Sequence, residues 1–186
     1  PLDMRFDTSS GESARHFLNS SEFKEIGMVI RNYGEERNWK RITRAIVNAA
    51  SKGEMETTFH LKAAVESVTH QNFETKTLAR VFQGIRIHVN GELDSLEMAL
   101  ESSIDCLKPG GRIGVISFHS LEDRIVKRFF KKQAITCTCS REIPVCVCDT
   151  KPNLKLVSRK AIVADAEEVA INPRSRSAKF RVAERV

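Results

Sequence analysis

Residues 107–124 constrain the fold more strongly than any other part of the chain. They read LKPGGRIGVISFHSLEDR, in which an amphipathic helix stops at Pro109-Gly110-Gly111 and a short apolar strand follows at residues 113–116. Proline cannot continue a helix and glycine adopts left-handed dihedral angles, so this tripeptide marks a helix end. A continuous apolar strand between two helices is typical of a buried strand in a parallel sheet. The segment therefore predicts an α/β fold.

Polar residues follow this strand directly, at Ser117, His119 and Ser120. In open parallel sheets, ligands bind beyond the carboxyl ends of the strands, so a substrate-side role is one interpretation of Ser117 and His119. A structural role is the other. Ser120 begins a Ser-x-x-acid capping box, which favours a helix-capping role for its hydroxyl. A serine–histidine nucleophile pair is not predicted, because neither an orienting acid nor a nucleophile elbow accompanies them.

The rest of the chain shows mostly helical patterns. Residues 11–75 predict short helices, with Ser20 or Ser21 as one cap and Thr57 or Thr58 as another. A long apolar stripe runs from Leu78 to Leu107 at alternating steps of four and three residues. Asn90-Gly91 predicts a break in that stripe, because glycine weakens a helix interior. Alternation over residues 178–184 predicts a half-exposed strand, and residues 155–157 and 162–172 are weaker candidates for a strand and a short helix.

The charge of the chain favours an anionic partner. Its 30 lysines and arginines exceed its 24 acidic residues, which gives a formal net charge of +6. Such an excess favours a nucleic acid without identifying one. No apolar run approaches the roughly 20 residues that span a bilayer, and no secretory signal is recognisable. We therefore expect a cytoplasmic protein with no membrane partner.

Two basic clusters are candidates for contacts with RNA phosphates. The first lies at helical spacing beside Trp39 and consists of Arg37, Lys40, Arg41 and Arg44. The second lies between proline and serine residues and consists of Arg174 and Arg176, followed by Lys179 and Arg181 on the terminal strand. Phosphate contacts predict an affinity that falls as salt rises. A solvated helix face and the polar face of a strand are the alternatives.

Four of the five cysteines form two Cys-x-Cys pairs in an irregular segment, residues 134–150. They are Cys137, Cys139, Cys146 and Cys148. Four thiolates can close a tetrahedral zinc site with sulfur–metal distances of about 2.3 Å, although Cys-x-x-Cys is the commoner spacing. Free thiols and a disulfide are the alternatives, and a reducing cytoplasm disfavours the disulfide. A structural zinc ion is therefore one predicted cofactor.

Five segments in a fixed order carry a family resemblance. They are PLDMR at residues 1–5, YGEER at 33–37, FQGIRIHVNGEL at 82–93, PGGRIGVISFHSLEDR at 109–124 and NPRSRSAK at 172–179. Together they resemble the bacterial small-subunit ribosomal RNA cytosine-N(4) methyltransferases that depend on S-adenosylmethionine. The resemblance implies the C-terminal portion of a Rossmann-like class I methyltransferase with an all-helical insertion subdomain. Residues 1–10 would be a core loop, 11–91 the insertion, and 92–186 the C-terminal half of the core.

The same resemblance implies S-adenosylmethionine as the cofactor of the parent enzyme and a cytosine of small-subunit RNA as its substrate. In that family the glycine-rich cofactor loop and the acidic ribose-binding residue precede the PLDMR segment, and no residues of this chain match them. The resemblance therefore assigns no catalytic and no cofactor-binding residue here. We expect this chain alone to be inactive, to bind ribosomal RNA or the 30S subunit, and to have no DNA partner; a homodimer stays open.

Two other classes of function are alternatives. One is a non-catalytic RNA-binding module clipped by zinc, which would bind small-subunit RNA without methylating it. The other is a helical interaction subunit whose sheet is completed by a separate chain.

Overall fold

The computed structural model describes residues 1–137, 139 and 148–186. These residues form two compact units, Pro1–Glu92 and Leu93–Val186. The opening residues belong to the first unit in this structure, since the Leu2 side chain is fully buried in the core of that unit. In the described part of the chain, no helix has both the length and the hydrophobicity that crossing a membrane requires.

The first unit is helical. Its helices are α1 (Ala14–Ser20), α2 (Phe23–Asn32), α3 (Trp39–Ser51), α4 (Thr58–Glu66) and α5 (Glu74–Asn90), with a 3-10 turn at Gln71–Phe73 before α5. The Thr57 side chain caps α4, as expected, by accepting from the His60 N–H. The expected serine cap of α2 is wrong. Glu22 takes that position and forms a capping box with Glu25, because carboxylates also accept from the free N–H groups of a helix start.

Two glycines let α5 pass close to the end of α2. A methyl group built on Gly84 would lie 2.7 Å from the Gly34 nitrogen and 3.2 Å from the Val29 carbonyl oxygen. Both atoms belong to the backbone and cannot move aside as a flexible side chain can. Backbone contact at this crossing therefore requires that position 84 carry no side chain.

The predicted break in the long apolar stripe is confirmed. Gly91 adopts a left-handed conformation with φ 58° and ends α5. The next helix, α6 (Glu92–Cys106), begins immediately after it. Glycine populates this region without a steric penalty, which is why the stripe turns at this residue.

The second unit combines the remaining helices with a sheet. It begins inside α6, of which only Glu92 belongs to the first unit. The elements that follow are β1 (Arg112–Ser117), α7 (Ser120–Gln133), β2 (Leu154–Leu156), β3 (Ile162–Val163), α8 (Ala166–Ile171), a 3-10 turn (Pro173–Ser177) and β4 (Lys179–Arg185). The expected terminal strand and the weaker strand candidate at 155–157 are thus confirmed within one residue. Residues 162–172 contain the expected short helix only at Ala166–Ile171, since Ile162–Val163 form a strand. The mixture of helices and sheet agrees with the predicted α/β class. Its Rossmann-like assignment stays a prediction.

The described sheet is antiparallel throughout. Strand β4 lies between β1 and β2 and also pairs with β3, and Ile116 of β1 stands opposite Phe180 of β4. The expectation of a strand buried in a parallel sheet is therefore wrong for the described residues. There, β1 pairs with β4 alone, and Ile116 is 57% exposed. Burial of a strand on both faces requires other elements packed against each face, and the residues of the strand itself do not specify those elements.

One face of this sheet packs against helices. The core of the second unit contains Leu100, Ile104, Val126, Phe130, Leu154 and Ala183. These side chains come from α6, α7, β2 and β4, so a single apolar layer lies between the helices and the strands. The direction of β1 and the start of α7 are fixed by this layer.

A buried carboxylate joins α7 to β4. Asp123 accepts from the Arg181 guanidinium at 2.8 Å and from the Lys179 ammonium at 3.2 Å. The hydrogen bond from Arg181 is the main reason that the pKa of the Asp123 carboxyl lies below its ordinary range, and Lys179 lowers it further against the effect of burial. Two cations of the second basic cluster, Lys179 and Arg181, are thus paired with the same carboxylate within the fold.

We expect Asp123→Asn to lower the free energy of unfolding by about 2 kcal/mol near neutral pH, since it breaks charged hydrogen bonds in a buried site. A carboxyl group whose pKa is lowered by folding stabilises the fold above its unfolded pKa, and this contribution is lost as pH falls through the folded pKa. Urea unfolding of the variant should therefore depend less on acidic pH than that of the wild type. The exposed Asp105→Asn variant is the matched control. Equal losses in the two variants would contradict the assigned role.

Candidate functional site

His119 occupies the turn between β1 and α7. Its ring Nδ1 accepts a hydrogen bond from the Glu122 N–H at 3.4 Å, and the Glu122 carboxylate accepts in return from the His119 N–H at 3.3 Å. These bonds form a capping box between His119 and Glu122. The expected box starting at Ser120 is wrong by one residue. Ser120 is the first residue of α7, because the imidazole nitrogen performs the capping that a hydroxyl usually performs.

The other ring nitrogen of His119 is buried and oriented. Because Nδ1 accepts, the neutral ring carries its proton on Nε2. The side chain is 10% exposed, and among the described residues Nε2 has no hydrogen-bond partner. Glu122 Oε1 lies 3.2 Å from it, outside hydrogen-bonding alignment. This N–H thus lies beside a carboxylate oxygen without an aligned hydrogen bond, which leaves it as a donor that a ligand can satisfy.

Glu122 is ionised at this turn. Burial raises the pKa of its carboxyl, but the nearby His119 ring and the N–H groups of Phe118 and His119 outweigh burial and lower it. The negative charge beside the ring favours the Nε2–H tautomer and fixes the orientation of the imidazole.

The neighbours of His119 have different surroundings. The buried Ser117 hydroxyl donates to the Lys179 carbonyl oxygen at 3.3 Å, which ties the end of β1 to β4. This contact favours the structural interpretation of Ser117. Phe118 is exposed at the strand end and presents an aromatic face to solvent. Its exposure makes stacking on a ligand available.

The opening PLDMR segment is a loop held by several hydrogen bonds. Arg5 binds Asp3 in a bidentate pair at 2.8 and 2.9 Å, which lowers the pKa of Asp3 to about 2. Met4 adopts a left-handed backbone with φ 66°, and the Asn90 amide donates to the Met4 carbonyl and accepts from the Phe6 N–H. Strained backbone of this kind persists only where surrounding contacts enforce it. The result is that Phe6, 75% exposed, is held at a defined place.

A cavity of about 580 Å³ lies beside this loop. Its lining includes Met4, Arg5, Phe6, Phe82, Gln83 and Arg86. Aromatic, amide and cationic groups together suit a planar polar ligand, and the volume falls within the range of small-molecule sites. Sequence reasoning used this segment only as a family marker. The signal in the sequence that indicates this site is the Asp3-x-Arg5 spacing followed directly by Phe6.

The first basic cluster forms an open face of the helical unit. All four side chains, Arg37, Lys40, Arg41 and Arg44, are exposed, and in the described part of the chain none of them forms a salt bridge. Trp39 lies between the cations of Arg31 and Lys40, at 5.8 and 5.5 Å from its ring centroid. We call Arg37, Lys40, Arg41 and Arg44 the α3 basic face. Its RNA-binding role stays a prediction.

A groove adjoins the α3 basic face. It has a volume of about 990 Å³, and its lining residues come mainly from α3 and α4. Arg41, Arg44, Lys52 and His60 contribute polar groups to walls that are otherwise largely apolar. Basic and apolar groups in one groove are the combination that single-stranded nucleic acid requires.

Comparison with known proteins decides the family. The model of the MraW methylase family matches residues 1–186, which is the whole chain. The chain belongs to the MraW methylase family. The relatives called Ribosomal RNA small subunit methyltransferase H from Citrifermentans bemidjiense and Caldicellulosiruptor bescii are 49% and 48% identical over the full chain, which covers 61% of each. The protein of that name from Syntrophotalea carbinolica is 46% identical over the full chain and 60% of its own length.

MraW family membership confirms the resemblance to small-subunit ribosomal RNA methyltransferases. The chain spans about three fifths of the length of the curated relatives that it matches. Cytosine-N(4) specificity, use of S-adenosylmethionine and the division into core and insertion stay predictions.

The second basic cluster of this MraW-family chain divides into two parts. Arg174 and Arg176 are exposed on either side of the buried Ser175 in the 3-10 turn, where they are open to solvent. Lys179 and Arg181 instead bind Asp123. Within this cluster, only Arg174 and Arg176 therefore stay as candidates for phosphate contacts.

Sequence reasoning missed a further basic stripe on α7. Its exposed cations are Lys127, Arg128, Lys131 and Lys132. Their spacing of four residues, repeated from Lys127 and Arg128 to Lys131 and Lys132, places them on one side of a helix. That spacing was visible in the sequence.

The cysteines of the predicted zinc site are partly described. The Sγ atoms of Cys137, Cys139 and Cys148 all lie within 4.8 Å of one another. Cys146 lies outside the described residues.

Proposed function

We propose that this MraW-family chain forms the RNA-facing part of an enzyme that transfers a methyl group from S-adenosylmethionine to N(4) of a cytosine in small-subunit ribosomal RNA. Family membership over the whole chain and the names of the relatives support the proposal. The single observation in the structure that carries it is the buried, unpartnered Nε2–H of His119 beside the exposed Phe118.

The chemistry explains why such a donor is needed. The lone pair of a cytosine amine is delocalised into the ring, so the amine is a poor nucleophile until polar groups let it rehybridise. Catalysis also requires the nitrogen, the methyl carbon and the sulfur nearly in line. His119 Nε2–H would donate to a ring acceptor of the cytosine, and Phe118 would stack on its face. A ribosomal cytosine reaches such a site when it is unstacked from its neighbours.

S-adenosylmethionine supplies the methyl group when it is bound. The sequence of this chain has no Gly-x-Gly-x-x-Gly motif, and we assign none of its residues to that cofactor. We therefore propose that this chain alone binds S-adenosylmethionine poorly and transfers no methyl group. The α3 basic face and the pair Arg174 and Arg176 would hold the RNA through its phosphates.

A fusion protein tests this function. The portion of the Citrifermentans bemidjiense relative that lies outside its match to this chain would be joined ahead of Pro1. We expect the fusion to transfer label from S-adenosylmethionine to small-subunit RNA, and nucleoside mass spectrometry should identify N(4)-methylcytidine. His119→Ala should lower the turnover of the fusion by about 100-fold, the order of effect when one donor to a developing charge is removed, without changing cofactor affinity.

His70→Ala provides the matched control. The His70 side chain also caps a helical turn by accepting from a backbone N–H, but it belongs to the first unit and is exposed. Its removal should leave methyl transfer unchanged. A folded fusion that binds S-adenosylmethionine and RNA yet modifies no cytosine would overturn the proposed function and favour the non-catalytic RNA-binding module.

A further inference from the structure

The thiols of Cys137 and Cys148 lie at a distance that suits a shared metal ion. Their Sγ atoms are 3.7 Å apart, and Cys139 Sγ completes a triangle whose sides do not exceed 4.8 Å. Four sulfurs at about 2.3 Å from a tetrahedral zinc ion are about 3.8 Å from one another. We propose that Cys137, Cys139 and Cys148 hold one structural zinc ion through their thiolates.

The three cysteines lie close along the chain to a contact that joins the end of α7 to Asn153. Asn153 donates from its backbone N–H to the Gln133 carbonyl at 2.9 Å and from its side chain to the Gln133 amide oxygen at 2.8 Å. The Arg185 guanidinium donates to Asn153 at 2.9 Å and attaches this contact to β4. Cys137 and Cys148 stand four residues after Gln133 and five before Asn153. The metal ion would therefore join two chain positions that the contact between Gln133 and Asn153 already holds close together.

Among the described residues from 134 to 152, none belongs to a helix or strand and none is buried. Metal binding by the three thiolates would supply free energy of folding to these residues directly. Three soft thiolates favour Zn²⁺ over Mg²⁺ or Ca²⁺, which prefer oxygen ligands.

The fourth cysteine of the motif, Cys146, lies outside the described residues, so the proposal rests on the other three. It is independent of the proposed function.

Metal analysis of the untagged chain, purified under reducing conditions from zinc-supplemented cells, tests the site. We expect about one zinc ion per chain, as one structural site requires. Cys137→Ser with Cys148→Ser should abolish zinc binding. Cys106→Ser is the matched control, since Cys106 is an exposed cysteine of α6, and it should keep the full zinc content.

Cobalt substitution provides a second measurement that does not depend on how the double variant folds. Adding Co²⁺ to the metal-free wild-type chain should produce sulfur-to-cobalt charge-transfer bands and the intense visible bands of tetrahedral coordination, and Zn²⁺ should remove them. A wild-type chain that retains no zinc and shows no such bands would overturn the proposal. Equal zinc contents in the double variant and the Cys106→Ser control would also overturn it.

Discussion

Gly84→Ala is expected to destabilise the helical unit by about 2–3 kcal/mol, which is the order of cost of overpacking a close contact. Alanine is otherwise favoured over glycine in a helix interior by about 1 kcal/mol. Here the added methyl group would lie 2.7 Å from the Gly34 nitrogen, so α5 and the end of α2 must separate. The expected sign is therefore opposite to that of helix propensity.

Urea unfolding followed by far-ultraviolet circular dichroism measures this effect. Thr75→Ala is the matched control, because Thr75 is exposed on the same helix and its replacement changes only local propensity. We expect that control to be neutral or slightly stabilising. A Gly84→Ala chain as stable as the wild type would show that α5 can move away from the end of α2 without cost. The close approach of Gly84 and Gly34 would then contribute nothing to stability.

Neutralising the α3 basic face should weaken binding to small-subunit RNA about a thousandfold at an ionic strength of about 0.1 M. Each phosphate contact contributes a slope of about 0.7–0.9 in the dependence of log affinity on log salt, so each is worth about five- to eightfold at that salt. The variant replaces four cations, Arg37, Lys40, Arg41 and Arg44, by glutamine. The slope of log affinity against log salt concentration should be smaller in magnitude by about three to four for this variant.

Fluorescence anisotropy with small-subunit RNA over a range of salt concentrations measures both quantities. The matched control carries the same change of net charge on α7 and replaces Lys127, Arg128, Lys131 and Lys132 by glutamine. We expect that control to retain most of the affinity. Equal losses in the two variants would mean that net charge alone determines binding, and an unchanged α3 variant would remove this face from the RNA interface.

The elements that depend on local chemistry could be predicted from the sequence. Gly91 ends α5 because of its own left-handed conformation, and the alternation of apolar and charged residues over 178–184 matches strand β4, in which Ala183 is buried and the other residues are partly buried. Thr57 caps α4 through a bond within one turn. Each of these features is decided by residues that are neighbours in the sequence.

The features that depend on distant residues could not be predicted. Asp123 neutralises Arg181 across 58 positions, so two cations of an apparent RNA-binding cluster belong to the fold. The antiparallel pairing of β1 with β4 could not be predicted for a similar reason, because it depends on packing against helices rather than on the residues next to β1 in the sequence. At His119, two overlapping capping patterns differ by one residue, and the geometry of the turn after β1 selects the imidazole.

The pairing pattern of β4 has a consequence for how the chain folds during its synthesis. Every other described strand, β1, β2 and β3, forms its hydrogen bonds with β4, which follows all of them in the chain. The helical unit needs no residue beyond Glu92 for its compact core, so it can fold while the rest is still being translated. The sheet cannot assemble in the same gradual way. The pairing of β1, β2 and β3 with β4 must wait until β4 has left the ribosome, which makes it a late step in the folding of this part of the chain.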